Sequence, residues 1–222
     1  MRKRTIRNYR DLQPLVEELG FLPLLPGIIP TFSLWDYTDN STWFQQGDPN
    51  DPWEWRCRAA GEGNLAYGKF FNGKAGFISK EWFPLFAHCR RKGRDFETLF
   101  VEERLPVECG QIMALFHGSE EYPSFELKQL TGIIKQFESR IAELQHLTFL
   151  VTCCFFRKRT KDAKEYGWPV GVFCRAESLF EENHIRSRFS EPYEGSRDQL
   201  ISHCAKLFPK VPKKKIVQFI DK

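Results

Sequence analysis

Nine consecutive residues, Arg157-Lys158-Arg159-Thr160-Lys161-Asp162-Ala163-Lys164-Glu165, hold five positive charges against two negative ones. Cations at that density suit the neutralisation of phosphates. The run is bracketed by Thr148 to Phe156 and Val170 to Cys174, both dense in β-branched and aromatic residues, so it reads as the basic tip of a hairpin. Upstream, Lys135, Gln136, Ser139 and Arg140 share one side of a helical pattern. Their side chains are of the types that reach phosphate oxygens and base edges when a helix lies in a major groove. Two features weigh against that reading: Glu138 and Glu143 on the same helix repel phosphate, and a basic tip also serves solubility alone.

These candidates need a frame to position them, and the stretch from Val107 to Cys174 provides one. A first helix is expected over Glu108 to His117, with Ile112, Leu115 and Phe116 at core spacing and Gly118 as its stop. Ser124 is placed to cap a second over Phe125 to Thr131. Gly132 then turns the chain into a third, where Ile134, Phe137, Ile141 and Leu144 form an apolar stripe. Three helices followed by two strands joined by a basic tip is the order of a winged helix, which makes DNA the first partner to consider. Such modules also serve purely in protein interaction.

Around this module the chain reads as α+β. An amphipathic helix is expected from Asn8 to Leu19, ended by Gly20; the proline-broken segment Phe21 to Pro30 is expected as extended chain against the core. Ser33 is placed to cap a short helix through Tyr37, and Pro52 suits the first position of a helix carrying Trp53-Glu54-Trp55-Arg56. Asn72-Gly73 between two strand-like runs signals a tight hairpin. A helix from Ser79 to about Arg91 follows, then a connection over Asp95 to Pro106. After Cys174, helices are expected over Ser178 to Ile185, Ser196 to Leu207 and Pro212 to Ile220. The expected organisation is an aromatic-rich helical and β-hairpin region over 1–106, the winged helix-turn-helix module over 107–175 and a helical segment over 176–222.

The bulk numbers exclude more than they identify. With 222 residues, 41% hydrophobic and 28% charged, the chain has globular rather than disordered composition. A net charge of +4 is too mild to argue nucleic-acid binding by itself, so the local clustering carries that argument. Its seven cysteines are odd in number and scattered, with no Cys-x-x-Cys pair, and the five histidines lack partners at ligand spacing. No metal or cofactor is expected, and adjacent Cys153 and Cys154 should point to opposite faces of a strand. Reduced thiols and the lack of any membrane-length apolar run point to a cytoplasmic protein without a membrane partner.

Three groups of residues carry a resemblance. Lys3-Arg4-Thr5-Ile6-Arg7-Asn8-Tyr9, Asp51-Pro52-Trp53-Glu54-Trp55, and Ala66-Tyr67-Gly68-Lys69-Phe70-Phe71 through Lys74-Ala75-Gly76-Phe77-Ile78-Ser79 to Glu81-Trp82-Phe83-Pro84 resemble bacterial AlkZ-related proteins over nearly the whole chain. That group is distantly related to the AlkZ and YcaQ DNA glycosylases, which excise alkylated or crosslinked bases. The resemblance implies a winged-helix fold and a connection to DNA repair. In the active relatives a Gln-x-Gln or Gln-x-Asp motif assists departure of the base. Its counterpart here, Gln46-Gly47-Asp48, falls in a turn-rich run that reads as an exposed loop. Glu54 is a second candidate carboxylate, since an adjacent indole can stack an extruded base. Trp53 and Trp55 cannot both line one pocket beside it, and a structural ion pair with Arg56, Arg58 or Lys69 competes with a catalytic role. DNA binding is therefore expected ahead of base excision, with an active glycosylase and a ligand- or protein-binding module as alternatives.

Overall fold

Prolines and one Asn-Gly pair set the N-terminal half of the computed structural model, which describes residues 5–45, 47–102, 104–162 and 165–221. After a single 3-10 turn, α1 (Leu12–Leu19) buries Leu12, Leu15, Val16 and Leu19 and stops at Gly20, whose φ of 84° brings it against the Trp82 ring. The proline-broken segment contributes β1 (Phe21–Pro23), which pairs at the sheet edge, where the absent N–H of Pro23 costs no ladder bond. Then come α2 (Leu34–Tyr37) and α3 (Pro52–Glu62), the latter with Pro52 in its first turn. Asn72 and Gly73, at φ 52° and 73°, turn β2 (Leu65–Phe71) into β3 (Lys74–Ser79), giving an antiparallel sheet of order β1-β3-β2. The next helix, α4 (Phe83–Arg91), begins four residues after the expected cap Ser79, behind a turn closed by Trp82.

Where a featureless connection was expected, α5 (Phe96–Val101) forms, capped by Asp95. The region beyond holds α6 (Val107–Met113), β4 (Tyr122–Pro123), α7 (Ser124–Thr131), α8 (Phe137–His146), β5 (Leu150–Arg159) and β6 (Glu165–Arg175), with an antiparallel sheet of order β4-β6-β5. Ser124 lies inside α7 rather than capping it. The expected apolar stripe of the third helix loses its first member. Gly132 at φ 66° and Gln136 at φ 63° restart the chain, so α8 begins at Phe137 and Ile134 is left 84% exposed in the preceding turn. The chain closes with α9 (Ala176–Phe180), α10 (Glu182–Ile185), α11 (Tyr193–Leu207) and α12 (Lys213–Asp221); Glu181, at φ 62°, splits what was expected as one helix.

The result is a mixed α+β fold with two hydrophobic cores. One gathers α1, α3, α4 and the first sheet with Leu200, Cys204, Ile216 and Phe219 of the last two helices; Phe71 and Phe219 stack with ring centroids 5.3 Å apart. The other gathers Phe96, Ile112, Leu127, Phe137, Ile141, Leu144 and Phe149. Strand alternation lets one sheet serve both: Leu150 and Phe173 enter the second core while their neighbours Val151 and Cys174 enter the first.

Buried polar groups fasten the seam between the cores. Arg91 donates to the Thr148 carbonyl at 2.6 Å and to Glu177 at 2.6 Å. Arg90 donates to the Phe70 and His146 carbonyls. Gln145 accepts from the Lys69 N–H of β2 and donates to Thr152 of β5. Because these guanidinium and amide groups bond to both sides, displacing one core from the other would strand several donors without partners, in addition to the buried Arg90 Nε, which has none among the described residues.

Candidate nucleic-acid interface and aromatic cavity

The β5–β6 hairpin does not run straight to its tip. Phe156 pairs with Val170, yet the next pairs are Lys158 with Tyr166 and Arg159 with Glu165. Gly167, Trp168 and Pro169 therefore oppose Arg157 alone, and Gly167 takes the φ of 74° that this bulge requires. The extra residues carry Trp168 over α3, where its ring meets Trp53 edge-on at 6.1 Å.

A cavity of ≈ 190 Å³ lies between the hairpin and α3, walled by Phe44, Trp53 and Trp168, with Asp51, Glu54 and Arg157 as its polar lining. Asp51 is fully buried. As the N-cap of α3 it accepts through Oδ1 from the Trp53 N–H at 2.8 Å and the Phe44 N–H at 3.1 Å. Its Oδ2 has no hydrogen-bond partner among the described residues, and neither does the buried Nε1 of Trp53. The Arg56 guanidinium packs between the Trp53 and Phe155 rings, 4.0 and 4.4 Å from their centroids, which stiffens this wall.

Glu54 is ion-paired with Arg157 rather than with Arg56, Arg58 or Lys69. Arg58 instead pairs with Glu62 at 2.8 Å. Trp53 and Trp55 diverge as helical neighbours must. Trp53 walls the first cavity, while Trp55 lines a second of ≈ 460 Å³ on the other side of the Glu54–Arg157 pair, its indole donating to the Pro49 carbonyl at 2.9 Å. Asp48 also lines the second cavity, exposed and accepting from the Asn50 N–H at 2.8 Å. Gln46 lies outside the described residues.

The basic residues divide into engaged and free groups. Arg157 is held by Glu54 and reaches Glu165 at 3.4 Å; Arg159 reaches the same Glu165 at 3.3 Å while remaining 65% exposed. Lys158 and Lys161 are exposed with no ion pair among the described residues, and Lys164 lies outside them. Three of the expected tip residues, Arg157, Lys158 and Arg159, belong to β5 itself. On the helical side Lys135, Gln136 and Ser139 are exposed at the start of α8. Arg140 is turned inward, pairing with Glu143 at 2.9 Å and Glu108 at 3.8 Å and donating to Gln136. It ties α6 to α8 instead of projecting outward.

Sequence reasoning passed over Phe44, Asp51 and Trp168. The Asp51-Pro52 pair does announce a helix start, but nothing local reveals that the second carboxylate oxygen stays unpaired. The histidines have structural positions: His88 bridges Ser196 and the Glu191 carbonyl, and His203 donates to the Leu19 carbonyl at 2.8 Å. All seven cysteines are free thiols. Among the described residues no helix is long and apolar enough to cross a membrane.

A family model described as AlkZ related matches residues 6–221. No curated protein and no solved structure matches the chain.

Proposed function

The chain belongs to the AlkZ-related family, and from that premise we propose that it binds duplex DNA through a winged-helix module spanning residues 107–175. The observation that carries this reading is the element order α6, β4, α7, α8, β5, β6 with sheet order β4-β6-β5, together with exposed Lys135, Gln136 and Ser139 where α8 begins. In such a module the third helix enters the major groove by its N-terminal end and the hairpin lies along the backbone. Lys158, Arg159 and Lys161 serve as phosphate contacts, and Lys164 extends that set in sequence. Residues 1–106 and 176–222 form the scaffold that carries the module. Seven free thiols suit a reducing, cytoplasmic setting.

Base excision by Glu54 is disfavoured, because its charge is already balanced by Arg157. A carboxylate that stabilises an oxocarbenium must present uncompensated charge to the sugar. One observation favours a second reading, excision with Asp51 as the carboxylate: its Oδ2 is buried without a partner beside the aromatic-walled cavity, an environment suited to an extruded base.

Titration of labelled duplexes of unrelated sequence with the full chain tests the leading reading. Binding should weaken steeply with salt, and Lys135→Ala and Lys158→Ala should each weaken it to a similar extent on every duplex. No salt-dependent binding would overturn it.

A further inference from the structure

A separate irregularity lies near the other end of β5. Thr152 pairs with Phe173 and Cys154 with Val172, consecutive residues of β6, so Cys153 is an extra residue without a ladder partner. On a regular strand adjacent side chains point to opposite faces, and neighbouring cysteines cannot share a ligand. The bulge cancels that alternation. The sulfurs of Cys153 and Cys154 and a carboxylate oxygen of Glu121 all lie within 4.8 Å of one another. Glu121 immediately precedes the two-residue edge strand β4, which is held on the far side of β6 from β5.

We propose that Cys153, Cys154 and Glu121 bind a thiophilic divalent cation of the Zn²⁺ class, with water completing its coordination. Two sulfurs and one carboxylate match the donor preference of such an ion. Tetrahedral bonds of about 2.3 Å to sulfur place ligand atoms about 3.8 Å apart, so side-chain adjustments of about an ångström close the site. The site opens to solvent on the side of Glu121, which is exposed, and Cys154, which is half-buried. The Cys153 thiol now donates to the Val172 carbonyl at 3.4 Å, a weak interaction that metal binding would replace. Burial, then the neighbouring Cys153 and Glu121, push the Cys154 thiol up to about 11, which argues against a reactive thiolate at this position. A bound ion ties β4 to β5 across β6 and so stiffens the base of the hairpin.

The test uses the reduced full chain, stripped by chelator and titrated with Co²⁺, then with Zn²⁺. One Co²⁺ per chain should bind with a sulfur-to-cobalt charge-transfer band that Zn²⁺ abolishes by displacement. Cys153→Ser and Cys154→Ser should each lower the band by half or more, and Cys57→Ser should leave it intact. Glu121→Gln, a change at an exposed position, should weaken Co²⁺ binding by more than about tenfold, and it keeps the test decisive if a cysteine variant misfolds. No band in the reduced protein, a band undiminished by either cysteine change, or unchanged affinity in Glu121→Gln would overturn the site.

Discussion

Arg157 on the outer half of β5 and Glu54 on α3, 103 residues apart in sequence, form an ion pair that joins the hairpin to the N-terminal region. Both side chains are about four-fifths removed from solvent, at 21% and 19% exposure. The pair therefore ranks above a surface ion pair and below a fully desolvated one. Arg157→Ala should destabilise the protein by about 1–3 kcal/mol in chemical denaturation, since it leaves Glu54 uncompensated near the Asp51 carboxylate. In the Glu54→Gln background the same change should cost measurably less. Equal losses in both backgrounds would show that the two residues are not coupled.

The same pair bears on catalysis. Single-turnover incubation with duplexes carrying N-alkylated purines should release no free base and leave no abasic sites. If base is released, Asp51→Asn should abolish the release and Glu54→Gln should not, because Asp51 has a buried carboxylate oxygen left unpaired beside the cavity whereas Glu54 is ion-paired with Arg157. Release that depends on Glu54 or Asp48 would contradict this account of the cavity.

Acid sensitivity should trace to His146. Burial, then the nearby Arg90 guanidinium, depress its pKa from 6.5 to about 3. Between those values the unfolded chain holds a proton that the folded one refuses, so stability falls as pH drops through that window and is unaffected above it. Burial lowers His88 as well, which adds a contribution of the same sign. Urea unfolding of His146→Gln should show a pH slope shallower by about one proton between about pH 6 and about pH 4. Identical slopes in the variant and the parent protein would refute the assignment.

Features set by local backbone demands were legible in the sequence. Asn72-Gly73 must turn, Pro52 must begin a helix, and the proline-broken segment from Phe21 must run extended, although its pairing as an edge strand was not foreseen. Features set by non-local geometry were not. Periodicity enrolled Ile134 in a helical stripe, but the left-handed Gln136 restarts the helix behind it. Ion-pair partners for Glu54 were sought within a few residues and on the neighbouring hairpin, whereas the actual one arrives on a strand bent by a three-residue bulge. The convergence of Cys153 and Cys154 also depends on a bulge, a property of strand pairing that ligand spacing along the chain cannot register. The aromatic cavity was legible only as an aromatic-rich N-terminal region, because Trp168 reaches it from the far half of the chain.

If the module at 107–175 holds DNA through the cations of its hairpin, the salt dependence of duplex binding must report them, and no other measurement tests that claim as directly. Lys158→Ala, Arg159→Ala and Lys161→Ala combined should flatten the slope of log K against log salt by about 0.9 for each phosphate no longer neutralised, and by similar amounts on unrelated sequences. These three positions are exposed, so the fold should survive the change. A triple variant with the slope of the parent protein would remove the hairpin from the interface and contradict the account.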